Sequence, residues 1–138
     1  GHSQGGLVAM RVAQSPDVTA QAVITAGSPI HAMVVPTGLA VVAVEHTDDV
    51  VPALGGPVIQ AQPGLVYVRG SGADAVPVTD PTLLPAHRLE AYVETVRHVD
   101  DLSRGDDTPL NRVRTQLQTL PASGTSTLWR ATRSAGER

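Results

Sequence analysis

The sequence predicts an α/β fold with a parallel sheet, and three observations carry that prediction. Three short apolar runs, Gln21 to Ala26, Leu39 to Val44 and Leu65 to Arg69, have strand length, and each is bordered by glycine on at least one side. Gln21 to Ala26 reads as a buried strand, and Leu39 to Val44 has no polar alternation, the pattern of a strand covered on both faces. Stretches of helical periodicity accompany these runs, so strands alternating with helices are expected, on the C-terminal part of the chain as on the N-terminal.

The first element is punctuated by Gly1-His2-Ser3-Gln4-Gly5-Gly6, a G-x-S-x-G pattern. Such a pattern puts a serine on a sharp turn between a strand and a helix, and the flanking glycines are expected to keep that strained turn free of colliding side chains. Leu7, Val8, Met10, Val12 and Ala13 then predict a helix over about 7 to 14, broken by Ser15-Pro16-Asp17. The first strand run ends at Gly27-Ser28-Pro29, and the third lies between Pro63-Gly64 and Gly70. From Arg88 to about Leu102 a second helix places Leu89, Tyr92, Val93, Val96 and Val99 on one stripe. A third helix, with Leu110, Val113, Leu117 and Leu120 on its apolar side, follows the start signal Asp107-Thr108-Pro109. Residues 1–120 are read as one partial domain, and 121–138, rich in Ser, Thr, Gly and Arg, as a mobile tail with Trp129 docking back.

Composition narrows the function. The chain has 138 residues, 41% hydrophobic and 17% charged, which suits a single globular domain. A net charge of -3 with scattered arginines leaves no basic footprint for nucleic acid. No apolar stretch has the length of a transmembrane segment. The absence of cysteine removes disulfides and thiolate metal sites, and the five histidines lack metal-ligand spacing, so no metal and no cofactor are expected. Localisation is not legible.

Parallel sheets gather their chemistry at the carboxyl ends of the strands. Ser3 stands at the turn of the first motif. Glu45-His46-Thr47-Asp48-Asp49-Val50-Val51-Pro52 follows the second run, and the loop after the third ends in Leu84-Pro85-Ala86-His87. The chain thus supplies serine, acid and histidine in that order. Either Asp48 or Asp49 fits the acid position. His87 competes with His46, beside the acid, and with His98, mid-helix; His2 is the variable position of the motif, and His31 lies in a loop with no partner in view.

In these residues the sequence resembles the α/β-hydrolase superfamily, in particular its lipase and esterase-like serine hydrolases. Gly-His-Ser-Gln-Gly-Gly is similar to their nucleophile elbow, Ala26-Gly27-Ser28-Pro29 to the end of their next strand, and Asp49-Val50-Val51-Pro52 to their acid loop. The resemblance covers about residues 1 to 100 and implies a triad of Ser3, Asp49 and His87 acting on a small-molecule or lipid carboxylic ester through an acyl-enzyme. The backbone N–H of Gln4 would supply one oxyanion donor. Acyl transfer or thioester hydrolysis on the same triad, and a non-catalytic half-domain that pairs with another chain, are the other readings.

Against the family's pattern the chain corresponds to the C-terminal half of the fold, starting at the elbow. The expected consequences are a missing N-terminal half, a missing second oxyanion donor, an elbow with no strand to hold Ser3 in place, and weak or absent activity in isolation. The short segment from Gly27 to Gly38 leaves no room for a cap domain between its two strands.

Overall fold

The computed structural model describes residues 1–59, 62–72, 84–102 and 109–118. Three strands, β1 (Ala22–Ala26), β2 (Ala40–His46) and β3 (Leu65–Gly70), form one parallel sheet in the order β1-β2-β3. Register pairs Ala22 with Ala40 and Val41 with Leu65, so residues of equal parity share a face across all three strands. Helix α1 (Gln4–Ala13) covers one face, while α2 (Leu89–Leu102) and α3 (Pro109–Gln118) lie on the other.

β2 is the central strand, and six of its seven residues are buried. That explains its unbroken apolar run: there is no solvent face on which polar residues would be tolerated. Val41 and Ala43 pack with Met10, Val23, Ile30 and Leu39 on the α1 side. Val42 and Val44 pack with Tyr92 and Val113 on the other. Fully burying side chains of this size is worth about 1.5–3 kcal/mol each, so the sheet and its two helical layers form one continuous source of stability.

Several boundaries differ from the sequence reading. α1 begins at Gln4, directly after Ser3, rather than near residue 7. Glycines at 5 and 6 do not delay the helix, because Gly5 N–H donates to the His2 carbonyl (2.8 Å) and Gly6 N–H to that of Ser3 (3.1 Å). β2 runs on through Glu45 and His46, polar residues excluded from the apolar run. The connections between the strands, 27–39 and 47–64, carry no α-helix among the described residues, only the 3-10 turn Pro52–Gly55. The helices flank the strand series instead of alternating with it.

The apolar stripe of α2 is partly covered. Tyr92 and Ala91 are buried, whereas Leu89, Val93 and Val96 remain 41–49% exposed. Ala91, Tyr92 and Thr95 lie toward the end of β2, where Tyr92 and Thr95 both bond to His46, while Val96 and Val99 line a cavity with Val42, Val44 and Val68 of the sheet. Polar ties to the end of β2 thus stand beside the apolar contacts of this helix. Leu120, Trp129 and the tail 121–138 lie outside the described residues, and no helix among the described residues is long and apolar enough to cross a membrane.

Candidate active site

Ser3 occupies the N-cap position of α1 with φ 54 and ψ -130, and it is the only non-glycine with positive φ among the described residues. Such a conformation costs about 1–3 kcal/mol and persists only where the surroundings impose it. Here they do. Gly1 and Ser3 lie along the edge of β1: Ala26 N–H donates to the Gly1 carbonyl (2.9 Å), Ser3 N–H donates to the Ala26 carbonyl (2.9 Å), and the Gly1 amino group donates to Ile24 (2.7 Å). His2 and Ala26 form a parallel bridge. The elbow expected to be unheld is therefore fastened to β1 by backbone hydrogen bonds.

The glycines of the motif divide by role. A Cβ on Gly1 would strike the Gly5 carbonyl, and one on Gly6 would strike Ser28. Gly5 has open space around it, so the expectation that it keeps the turn clear does not hold; Gly6, one residue later, is the position that lets α1 approach β1.

Ser3 Oγ does not cap the helix, although serine is a favoured N-cap. It lies 2.9 Å from His87 Nε2 instead. His87 ends the 3-10 turn Pro85–His87, and its Nδ1–H donates to Asp49 Oδ2 at 2.6 Å. Asp49 follows β2, and its side chain is fully buried. Its other oxygen, Oδ1, accepts the Val51 N–H (3.0 Å), and the Tyr92 hydroxyl donates to Oδ2 (2.7 Å). A carboxylate taken out of water requires such donors, and three are provided.

Asp48 turns the other way. It accepts the Gly72 N–H (2.8 Å) and the Ser71 hydroxyl (3.3 Å), tying the loop after β3 to the loop after β2. His46 is buried at the end of β2: its Nδ1–H donates to the Ala86 carbonyl (2.7 Å), the Thr95 hydroxyl lies 2.8 Å from Nε2, and its ring stacks on Tyr92 at 3.8 Å. His98 is exposed on α2. His31 has a partner after all. Its Nε2 meets buried Glu45 Oε1 at 2.6 Å and its Nδ1 faces the Gly56 carbonyl at 3.2 Å, while Arg69 approaches the second Glu45 oxygen at 3.4 Å. This network joins the loop after β1, the loop after β2 and β3.

Two contributors were not singled out by sequence. Tyr92 reads as one member of an apolar stripe, yet its hydroxyl accepts the His46 N–H (3.2 Å) while donating to Asp49. Burial pushes the Tyr92 hydroxyl well above the ordinary tyrosine pKa, and the hydrogen bond to Asp49 adds to the rise, so it remains a donor. Gly27, at φ 57, has the second role. A Cβ there would lie 2.9–3.0 Å from Tyr92 Cε2, Asp49 Oδ2 and His87 Nδ1, so its bare backbone closes against the Asp49–His87 hydrogen bond. A glycine closing a strand was visible in the sequence; its distance from Asp49 and His87 was not.

Gln4 is the first residue of α1, so its N–H is one of the first-turn donors that take no acceptor within the helix, beside Ser3. Among the described residues no three His, Asp or Glu side chains are grouped to hold a metal ion. Chemically, the arrangement can move a proton from Ser3 Oγ onto His87 while Asp49 holds the opposite ring nitrogen. The chain matches no protein-family model, no curated protein and no solved structure.

Proposed function

We propose that the chain carries the catalytic unit of a serine hydrolase acting on carboxylic esters, on the C-terminal half of an α/β-hydrolase fold. The observation that carries this reading is the unbroken series Ser3 Oγ, His87 Nε2 (2.9 Å), His87 Nδ1, Asp49 Oδ2 (2.6 Å), drawn from three separate loops. Order along the chain and placement beyond the carboxyl ends of parallel strands support the fold assignment.

Ser3 Oγ attacks the ester carbonyl carbon as its proton passes to His87 Nε2. Asp49 keeps the ring in the Nδ1–H tautomer and stabilises the imidazolium. The oxyanion of the tetrahedral intermediate takes the Gln4 N–H, and collapse expels the alcohol, which leaves with the proton from His87. Water then attacks the acyl-enzyme, giving its proton to His87, and the carboxylic acid departs as Ser3 recovers its proton.

Labelling with a fluorophosphonate, followed by intact mass, tests the reading. The expected result is a single adduct on Ser3, formed slowly by this chain in isolation because Gln4 supplies a single oxyanion donor, lost in Ser3→Ala and slowed further in His87→Ala. Asp49→Asn should slow it by about 10⁴, since the amide no longer holds the tautomer, and Asp48→Asn should slow it little. An adduct elsewhere, or labelling indifferent to His87, would reject it.

A further inference from the structure

His87 is held by very little of its own. It ends a three-residue 3-10 turn, and its N–H bonds within that turn, to Leu84. Outside ties come from two other histidines acting on successive carbonyls. His46 Nδ1–H holds that of Ala86 (2.7 Å), and His2 Nε2–H holds that of His87 itself (2.8 Å). The His2 ring also packs against the His87 ring, with centroids 4.8 Å apart, and against Tyr92 at 5.9 Å.

Resting on the serine hydrolase reading above, we infer that His2 is a positioning residue that sets the distance between Ser3 and His87. His2 is covalently joined to Ser3, and its backbone is fixed by the bridge to Ala26 and by the Gly5 N–H to its carbonyl (2.8 Å). One peptide link and one hydrogen bond therefore connect the nucleophile to the backbone of its base. A carbonyl only accepts, so Nε2 of His2 carries the proton, and the position in the motif that tolerates any residue becomes a donor at a fixed reach.

That reach makes the inference testable by isosteres. Glutamine places its amide nitrogen near the Nε2 position, asparagine only near Nδ1, and phenylalanine keeps the ring but removes the donor. The full chain is compared as wild type, His2→Gln, His2→Asn and His2→Phe, by the rate of fluorophosphonate labelling, by kcat and KM on an activated ester, and by the downfield proton resonance of the His87 Nδ1–H to Asp49 hydrogen bond. His2→Phe and His2→Asn should lower the labelling rate and kcat about tenfold to a hundredfold with KM unchanged, as expected of a small misplacement of reacting groups. Both should also broaden the downfield proton, and His2→Gln should restore rate and resonance. Wild-type behaviour in His2→Phe, or equal loss in all three variants, overturns the inference. The resonance reports on positioning even where no labelling occurs: a sharp wild-type proton that broadens in His2→Phe, with Ser3 unreactive, would uphold the placement and reject the hydrolase reading.

Discussion

Asp49 shows what a buried carboxylate demands of its neighbours. Its oxygens receive the His87 Nδ1–H, the Tyr92 hydroxyl and the Val51 N–H, and loss of one donor leaves charge uncompensated. Tyr92→Phe should therefore cost about 1–3 kcal/mol in urea unfolding at neutral pH. It should also change the alkaline limb. The Tyr92 pKa is raised in the folded chain, so its contribution is complete below the unfolded tyrosine value of about 10 and falls as pH rises above that value. Wild-type stability should decline above that pH more steeply than the phenylalanine variant; parallel curves would show that Tyr92 does not supply the slope. Gly27 is the second case at this scale. Gly27→Ala forces a side chain onto three atoms of the site at 2.9–3.0 Å and into positive φ, at about 1–2 kcal/mol for the backbone alone. The expected outcome is a lower melting temperature together with loss of Ser3 labelling. Gly5→Ala, in open space within α1, should leave the melting temperature unchanged or slightly raised.

At the scale of elements, the end of β2 does more than any helix to place the site. Consecutive residues Glu45 and His46 point to opposite faces of the sheet. Glu45 gathers His31 and Arg69 on the α1 side, and His46 gathers Ala86 and Thr95 on the other. The strand thus fixes both the loop after β1 and the turn that bears His87. His46→Leu keeps approximate volume but leaves the buried Ala86 carbonyl without its donor, so it should cost about 1–3 kcal/mol. Ser3 labelling should slow as well, because the turn at Pro85–His87 loses one of the two side-chain bonds to its carbonyls. Unchanged labelling at reduced stability would show that His2 alone suffices to hold the turn.

For the whole molecule, one sheet with a central buried strand predicts a gradient of local stability. The amides of Val42 and Val44 lie in β2, bonded between two neighbours and covered on both faces. They should exchange with deuterium only through global opening, and therefore slowest of all. Gly1 to Ser3, held along one edge of β1, should exchange faster than β2. Equal rates in the two regions would mean that the edge segment is as deeply built in as the centre.

The sequence by itself determined the α/β class, the three strand runs and the candidate residues Ser3, Asp49 and His87. Each is a local signal: burial on both faces demands an unbroken apolar run, and a strained turn demands its small residues. Even so, local signals misjudged positions whose reason lies elsewhere in the chain. β2 was read as ending at Val44 because Glu45 and His46 are polar, yet both are buried, since their partners come from distant segments. The α2 stripe was legible through Tyr92, Val96 and Val99, but not the hydrogen bonds that join Tyr92 and Thr95 to His46. His31 and His2 had no visible function, because Glu45 and the His87 carbonyl are brought to them only by the fold. The choice between Asp48 and Asp49 as the neighbour of His87 was likewise settled in three dimensions. Adjacent aspartates share composition and spacing, and only the direction of each side chain at the end of β2 separates them: one toward Gly72, the other toward His87. Hydrogen-bond partners far apart in sequence leave no periodicity, and so tertiary structure alone decides them.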